Sequence, residues 1–136
     1  MKIKEPYATP EEYKKSITKY RDVPLIDLVP GIQTHIVFGE RIMLSFLTSQ
    51  PNSYMPNHRH ESEQLMVILK GALDLVIDGK VHHMEKGDVV TLPSNIDHAA
   101  YVSDKGATVI DIFSPPRQDF IDKLEQVIKK RKHDDS

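Results

Sequence analysis

The chain has 136 residues, 18 basic against 20 acidic for a net charge of -2, 39% hydrophobic and 28% charged residues, and no cysteine. That is one domain's length with enough apolar content for one core, while the missing thiols exclude disulfides, thiolate zinc sites, iron–sulfur clusters and cysteine nucleophiles. A pI near 6.4 argues against a phosphate-binding surface for nucleic acid, and the longest apolar run, LMVIL at 65–69, is far too short to span a membrane. The N-terminal MKIKEPYATPEEYKK has no apolar signal-peptide region, so a cytoplasmic address is the expectation.

In chain order, Thr9, Pro10 and Glu12 form a capping-box start and predict a short helix from Pro10 to about Thr18. From Val23 to Phe113 the texture is of short β-branched and aliphatic runs between Gly, Pro, Asn and Asp, the pattern of an all-β sandwich or barrel. Strands are predicted at 23–29, 32–38, 41–49, 63–70, 72–77, 80–84, 89–93, 98–102 and 107–113. Between LDLVI and KVHHM, Asp78-Gly79 marks a two-residue type I′ hairpin turn, which needs positive φ. After Pro115-Pro116 the period becomes helical, with Phe120, Ile121, Leu124, Val127 and Ile128 in one apolar stripe, so an amphipathic helix is predicted from about Arg117 to Arg131. Its basic end, Lys129 to Lys132, complements the helix dipole. The chain thus divides into an N-terminal arm with a short helix at 1–29, a barrel at 30–113 and a C-terminal helix and tail at 114–136.

The densest chemical clue is MPNHRHESEQ, read as a Pro/Asn loop leading into an apolar strand. Side chains alternate along an extended chain, so His58, His60 and Gln64 share a face and Glu61 and Glu63 take the other. A bulge between 60 and 64 would bring in Glu63 instead of Gln64. Imidazoles at i and i+2 can approach one ion, and such His-rich sites suit zinc, nickel, iron, copper or manganese. A second segment, GDVVTLPSNIDHAAYV, reads as strand, Pro-bearing turn and strand, with His98 opening the return strand.

Together these segments resemble the paired motifs of the cupin superfamily. The first, G(x)5HxH(x)3-4E(x)6G, is matched from Asn52 to Gly71, and the second, G(x)5PxG(x)2H(x)3N, from Gly87 to Val102. Asn52 stands for the first glycine, Gln64 for the glutamate, Asn95 for the inner glycine and Val102 for the final asparagine; Asn tolerates the left-handed conformation that glycine usually supplies. The resemblance spans roughly residues 30–113 and implies an all-β fold, a double-stranded β-helix or jelly-roll barrel. It also implies that His58, His60, Gln64 and His98 hold one divalent transition-metal ion such as nickel, zinc, iron or manganese. Gln in place of Glu leaves the ion at full charge, a stronger Lewis acid suited to carbonyl or hydroxyl polarisation rather than oxygen chemistry.

A third segment is ATVIDIFSPPRQDF. Ala107, Val109, Asp111 and Phe113 share one strand face, which puts the Asp111 carboxylate in an apolar setting that is costly unless it is paired or its pKa is raised. The string DIFSPPRQDF resembles the ending of the small cupins related to the pectin-degradation protein KdgF, which convert 4,5-unsaturated uronates to linear keto forms. By that resemblance Asp111 and Arg117 are catalytic, with Phe113 and Arg117 binding a carboxylated sugar. Other metal-cupin enzymes, a dioxygenase or a polyketide cyclase, and a non-enzymatic small-molecule-binding cupin are the alternatives. His35, His82 and His83 are expected to be structural or exposed, and Met43, Met55, Met66 and Met84 core or pocket filler. Tyr7, Tyr13, Ile17 and Tyr20 have no evident place in their own barrel, so a homodimer is expected.

Overall fold

A computed structural model of the chain describes residues 1–134. The Thr9 side chain accepts from the Glu12 N–H and the Glu12 carboxylate accepts from the Thr9 N–H, so the capping box opens helix α1, Pro10–Ser16. A 3-10 turn at Tyr20–Asp22 follows, then strands β1 (Ile26–Val29), β2 (Ile32–Phe38), β3 (Met43–Ser49), β4 (Tyr54–His58), β5 (Glu63–Ile77), β6 (Lys80–Glu85), β7 (Val89–Leu92) and β8 (His98–Ser114), and helix α2 (Gln118–Asp134).

Two long antiparallel strands organise the barrel. The first half of β5 pairs with β7 and its second half with β6, while β8 runs alongside nearly all of it from Glu63↔Ser114 to Ile77↔His98. The early part of β8 also pairs with β4 and its late part with β3, which continues through β2 to β1. Each long strand therefore serves two pairings in succession, and the sheet rolls into an antiparallel jelly-roll. The bend comes where the β5–β8 register shifts, around Lys70 and Gly71. Gly71 adopts φ +73, and a Cβ there would lie 1.9 Å from the Gly106 carbonyl oxygen, so only glycine permits this close backbone approach.

Several predicted boundaries change. Gly71 and Gly106 bend continuous strands where the sequence suggested four separate ones at 63–70, 72–77, 98–102 and 107–113. The predicted strand 23–29 begins only at Ile26, and 41–49 at Met43. Tyr54–His58, read as loop, is a strand because its backbone finds partners on β8 despite Pro56 and Asn57. Asp78 (φ 49) and Gly79 (φ 80) both sit at positive φ, as the type I′ turn requires.

Strand alternation sets the core. Met66, Ile68, Leu73, Leu75, Leu92, Val102 and Val109 fill the barrel, and Met43 and Met84 are also buried. A second cluster joins Ile26, Ile36, Met43 and Phe113 to Phe120 and Leu124 of α2. Burying those two helix side chains contributes about 1.5–3 kcal/mol each, which fixes the start of α2 beside one end of the barrel. His35 is structural, its Nδ1 2.7 Å from the Val23 carbonyl. Tyr20 does find a place in its own barrel, stacked on Phe46 at 4.0 Å, whereas Tyr7, Tyr13 and Ile17 are exposed.

Candidate functional site

Strands β4 and β8 meet at His58↔His98, directly opposite one another. His60 lies just beyond β4, where residues 59–62 leave the strand conformation. Its ring nevertheless faces the same site as that of His58, as the alternation of the His-x-His segment predicts. Ring centroids stand 4.2 Å apart for His58 and His98, 4.9 Å for His60 and His98 and 5.6 Å for His58 and His60. One ligating nitrogen from each lies within 4.8 Å of the others.

The backbone fixes the tautomer of every ring. His58 Nδ1 lies 2.9 Å from the Pro56 carbonyl, His60 Nδ1 2.8 Å from that of Ser62, and His98 Nδ1 2.9 Å from that of Ile96. A carbonyl only accepts, so each Nδ1 carries the hydrogen and donates it, leaving the Nε2 lone pairs free. Burial holds all three rings below their ordinary pKa of 6.5, His98 as low as about 4, so at neutral pH they are uncharged. His98 Nε2 is buried with no hydrogen-bond partner among the described residues. An unpartnered buried acceptor is costly, and a cation among the three rings would satisfy it.

Gln64 is buried on the wall of the same cavity, while its neighbour Glu63 is exposed. The Gln64 amide nitrogen donates to Asp111 Oδ1 at 2.9 Å, and its oxygen stands 3.1 Å from His60 Nε2. Since His60 carries its hydrogen on Nδ1, those last two atoms are both acceptors, an opposition that a shared cation relieves. The donor set thus fits a transition-metal ion: three neutral imidazoles with second-side hydrogen bonds, and an amide oxygen turned toward them. His58, His60 and His98 form a cluster that could bind a metal ion.

Asp111 is 3% exposed, opposite Ser45 on β3 and Met66 on β5. Burial raises its pKa to about 7, against the opposing pull of the Gln64 hydrogen bond and the Arg117 charge. The cavity that it lines is otherwise bordered by Phe113, Arg117, His58 and His98 of the histidine cluster, and apolar side chains including Met55, Leu47 and Val109. Arg117 precedes α2 with only 14% of its side chain exposed. Its guanidinium carbon lies 4.0 Å from the Phe120 ring centroid and 5.2 Å from that of Phe113, and Phe113 meets His60 edge-on at 5.5 Å.

Two contributors had no role assigned from the sequence. Ser62 presents its carbonyl to His60 and donates its hydroxyl to the Pro115 carbonyl at 2.6 Å, tying the first motif to the segment before Arg117. Asp119 accepts two hydrogen bonds from Arg117. The Ser62–Pro115 contact is not visible without knowing which distant segments lie together, whereas Asp119 is only two residues from Arg117.

A family model described as a cupin domain matches residues 45–113. The chain is 31% identical over 120 residues to H2HPP isomerase of Bacillus subtilis, covering 86% of this chain but 48% of that protein, so it spans about half that relative's length. It is 26% identical over 102 residues to the pectin degradation protein KdgF of Dickeya dadantii, covering 74% of this chain and 93% of that one. The solved structure of KdgF from a Halomonas species superposes with a TM-score of 0.71 at 27% identity, covering 77% of this chain and 97% of that chain.

Proposed function

The chain belongs to the cupin domain family, and from that premise we propose that it is a metal-dependent cupin enzyme that opens and ketonises 4,5-unsaturated uronates. The observation that carries this reading is one buried carboxyl group, Asp111, lining the same cavity as a fixed arginine and two members, His58 and His98, of a three-histidine cluster. Similarity to a pectin degradation protein and to an isomerase supports it.

His58, His60 and His98 would hold one divalent transition-metal ion, with the Gln64 oxygen as fourth ligand. Bound there, such an ion supplies Lewis acidity toward the oxygens of the substrate ring. The remaining work falls to the side chains of the cavity. When a cyclic hemiacetal opens, its hydroxyl loses a proton, the bond from the anomeric carbon to the ring oxygen breaks, and that oxygen is left as an enolate. The enolate then gains the proton on carbon to give the ketone, so the net change is transfer of one proton from oxygen to carbon. Among the described residues Asp111 is the one carboxyl group lining the inner cavity, and it moves that proton as general base and then general acid. Arg117 takes the substrate carboxylate through a planar, two-pronged contact. Phe113 adds an apolar wall to the cavity that the two share and keeps water from the reacting carbon.

The test is metal analysis of tag-free protein, followed by loss of the ene absorbance of an unsaturated galacturonate or its alginate-derived counterpart against the spontaneous rate. Metal-loaded protein should accelerate that loss. No acceleration with either substrate removes the uronate reading and leaves the metal cupin. Exposed Tyr7, Tyr13 and Ile17 on an arm with no buried residue in α1 further support a homodimer, since a helix of seven residues is marginal in water without a surface to pack on. Light scattering that gives a monomer at micromolar concentration removes that part.

A further inference from the structure

Arg117 is restrained in more ways than an anion-binding side chain needs to be. The Phe120 and Phe113 rings hold its guanidinium close, at 4.0 and 5.2 Å, which would still leave the group free to slide and turn against them. Asp119 removes that freedom. Its carboxylate accepts from Nε at 3.3 Å and from Nη2 at 2.8 Å, a fork-to-fork pairing that fixes the group in its own plane. The two partners face different spaces: Arg117 borders both the inner cavity and an outer cleft beside α2, whereas Asp119 borders only the outer cleft and its side chain is 57% exposed.

We propose that Asp119 is a positioning residue that holds Arg117 from the outside, so that the arginine's remaining donors meet a carboxylate in the inner cavity. A guanidinium has five N–H donors. Asp119 engages Nε–H and one N–H of Nη2, leaving both Nη1 hydrogens and the second Nη2 hydrogen. A ligand carboxylate entering the cavity therefore meets an edge that Asp119 does not occupy. Ordering a long side chain on binding costs affinity, and the aromatic pair with Asp119 meets that cost before the ligand arrives. The opposite relation, Asp119 as an internal competitor for the ligand's place, would need the ligand on the Nε edge, which faces the exposed carboxylate.

The inference rests on the proposal that Arg117 takes a carboxylate, and the experiment separates the two. Galacturonate, a saturated acid that cannot ketonise, is titrated calorimetrically into metal-loaded wild type, Arg117→Ala, Asp119→Asn, Asp119→Glu and, as a control for helix charge, Asp122→Asn. Wild type should bind, Arg117→Ala should lose binding, and Asp119→Asn should weaken it about 3- to 10-fold, with partial recovery in Asp119→Glu and none of the loss in Asp122→Asn. In turnover of the unsaturated acid, Asp119→Asn should raise KM by the same factor with kcat unchanged, a split that a purely structural role would not produce. Failure of wild type to bind, or full binding by Arg117→Ala, overturns the arginine reading and this inference with it. Unchanged or tighter binding by Asp119→Asn, with Arg117→Ala inactive in binding, overturns the positioning role alone.

Discussion

Two histidine-bearing regions of this chain show how little the residue type decides. At the barrel mouth, His58, His60 and His98 converge, are half-buried or buried, and donate Nδ1–H to backbone carbonyls. On the β5–β6 hairpin, His82 makes the same contact two residues back, with the Lys80 carbonyl at 2.9 Å, and His83 pairs with Asp74 at 2.9 Å. Both hairpin rings are exposed. A carbonyl behind Nδ1 is thus common to both regions; burial and convergence are what separate them. Burial lowers the pKa values at the mouth, whereas the Asp74 hydrogen bond raises that of His83. One region is prepared for a cation by being neutral, and the other is itself prepared to become the cation.

The largest effect should come from removing a ring at the mouth. His98→Ala should lower metal affinity by on the order of 100-fold or more, since even supporting partners of a metal site are worth 10 to 100-fold, while His82→Ala and His83→Ala should leave metal content at the wild-type ratio. Elemental analysis after desalting reads this directly, and loss of metal from either hairpin variant would break the contrast. Next comes Asp111→Asn, which keeps shape and polarity but removes the acid–base function: turnover should fall roughly 100-fold with metal content intact. Should activity survive, another group carries the proton. Smaller again is Arg117→Lys, which keeps the charge and loses the planar fork, so KM should rise roughly tenfold with metal retained; an unchanged KM would leave Arg117 without its proposed role.

The periodicity of the sequence went far toward this picture. Period-two alternation sorted Ala107, Val109, Asp111 and Phe113 onto one face of β8, and all four are buried, because a half-buried strand imposes that period. Turn chemistry placed the Asp78-Gly79 hairpin, and it allowed Asn95 a left-handed backbone, which it adopts at φ 62. Local reasoning failed where pairing is non-local. Pro56 and Asn57 disfavour a strand by propensity, yet β8 supplies partners for β4, and tertiary pairing overrides propensity in sheets. Gly71 and Gly106 carry turn signals, but here they bend long strands. The contact from Ser62 to Pro115 depends on where separate segments come to rest, and no spacing rule encodes that, whereas the pairing of Asp119 with Arg117 is local, two residues apart at the start of α2.

The smallest expected effect lies at the hairpin and sharpens the contrast from its other side. Asp74, with smaller help from Glu85 and Asp88, raises the His83 pKa above 6.5. A group whose folded pKa is raised stabilises the fold when protonated, so its contribution is fully present below about pH 6.5, the unfolded value, and is lost as pH rises through the raised folded value. Because the pair is exposed, solvent and salt screen it heavily, and the change in melting temperature across that window should be near the limit of detection. The titration itself is the better measurement. In proton–nitrogen NMR, His83 should titrate above the value of a free imidazole, and Asp74→Asn should bring it down toward 6.5 while leaving the barrel-mouth rings neutral throughout the same range. If Asp74→Asn leaves the His83 midpoint where it was, the carboxylate is not the source of the shift, and the hairpin ring no longer stands as the charged counterpart of the neutral cluster.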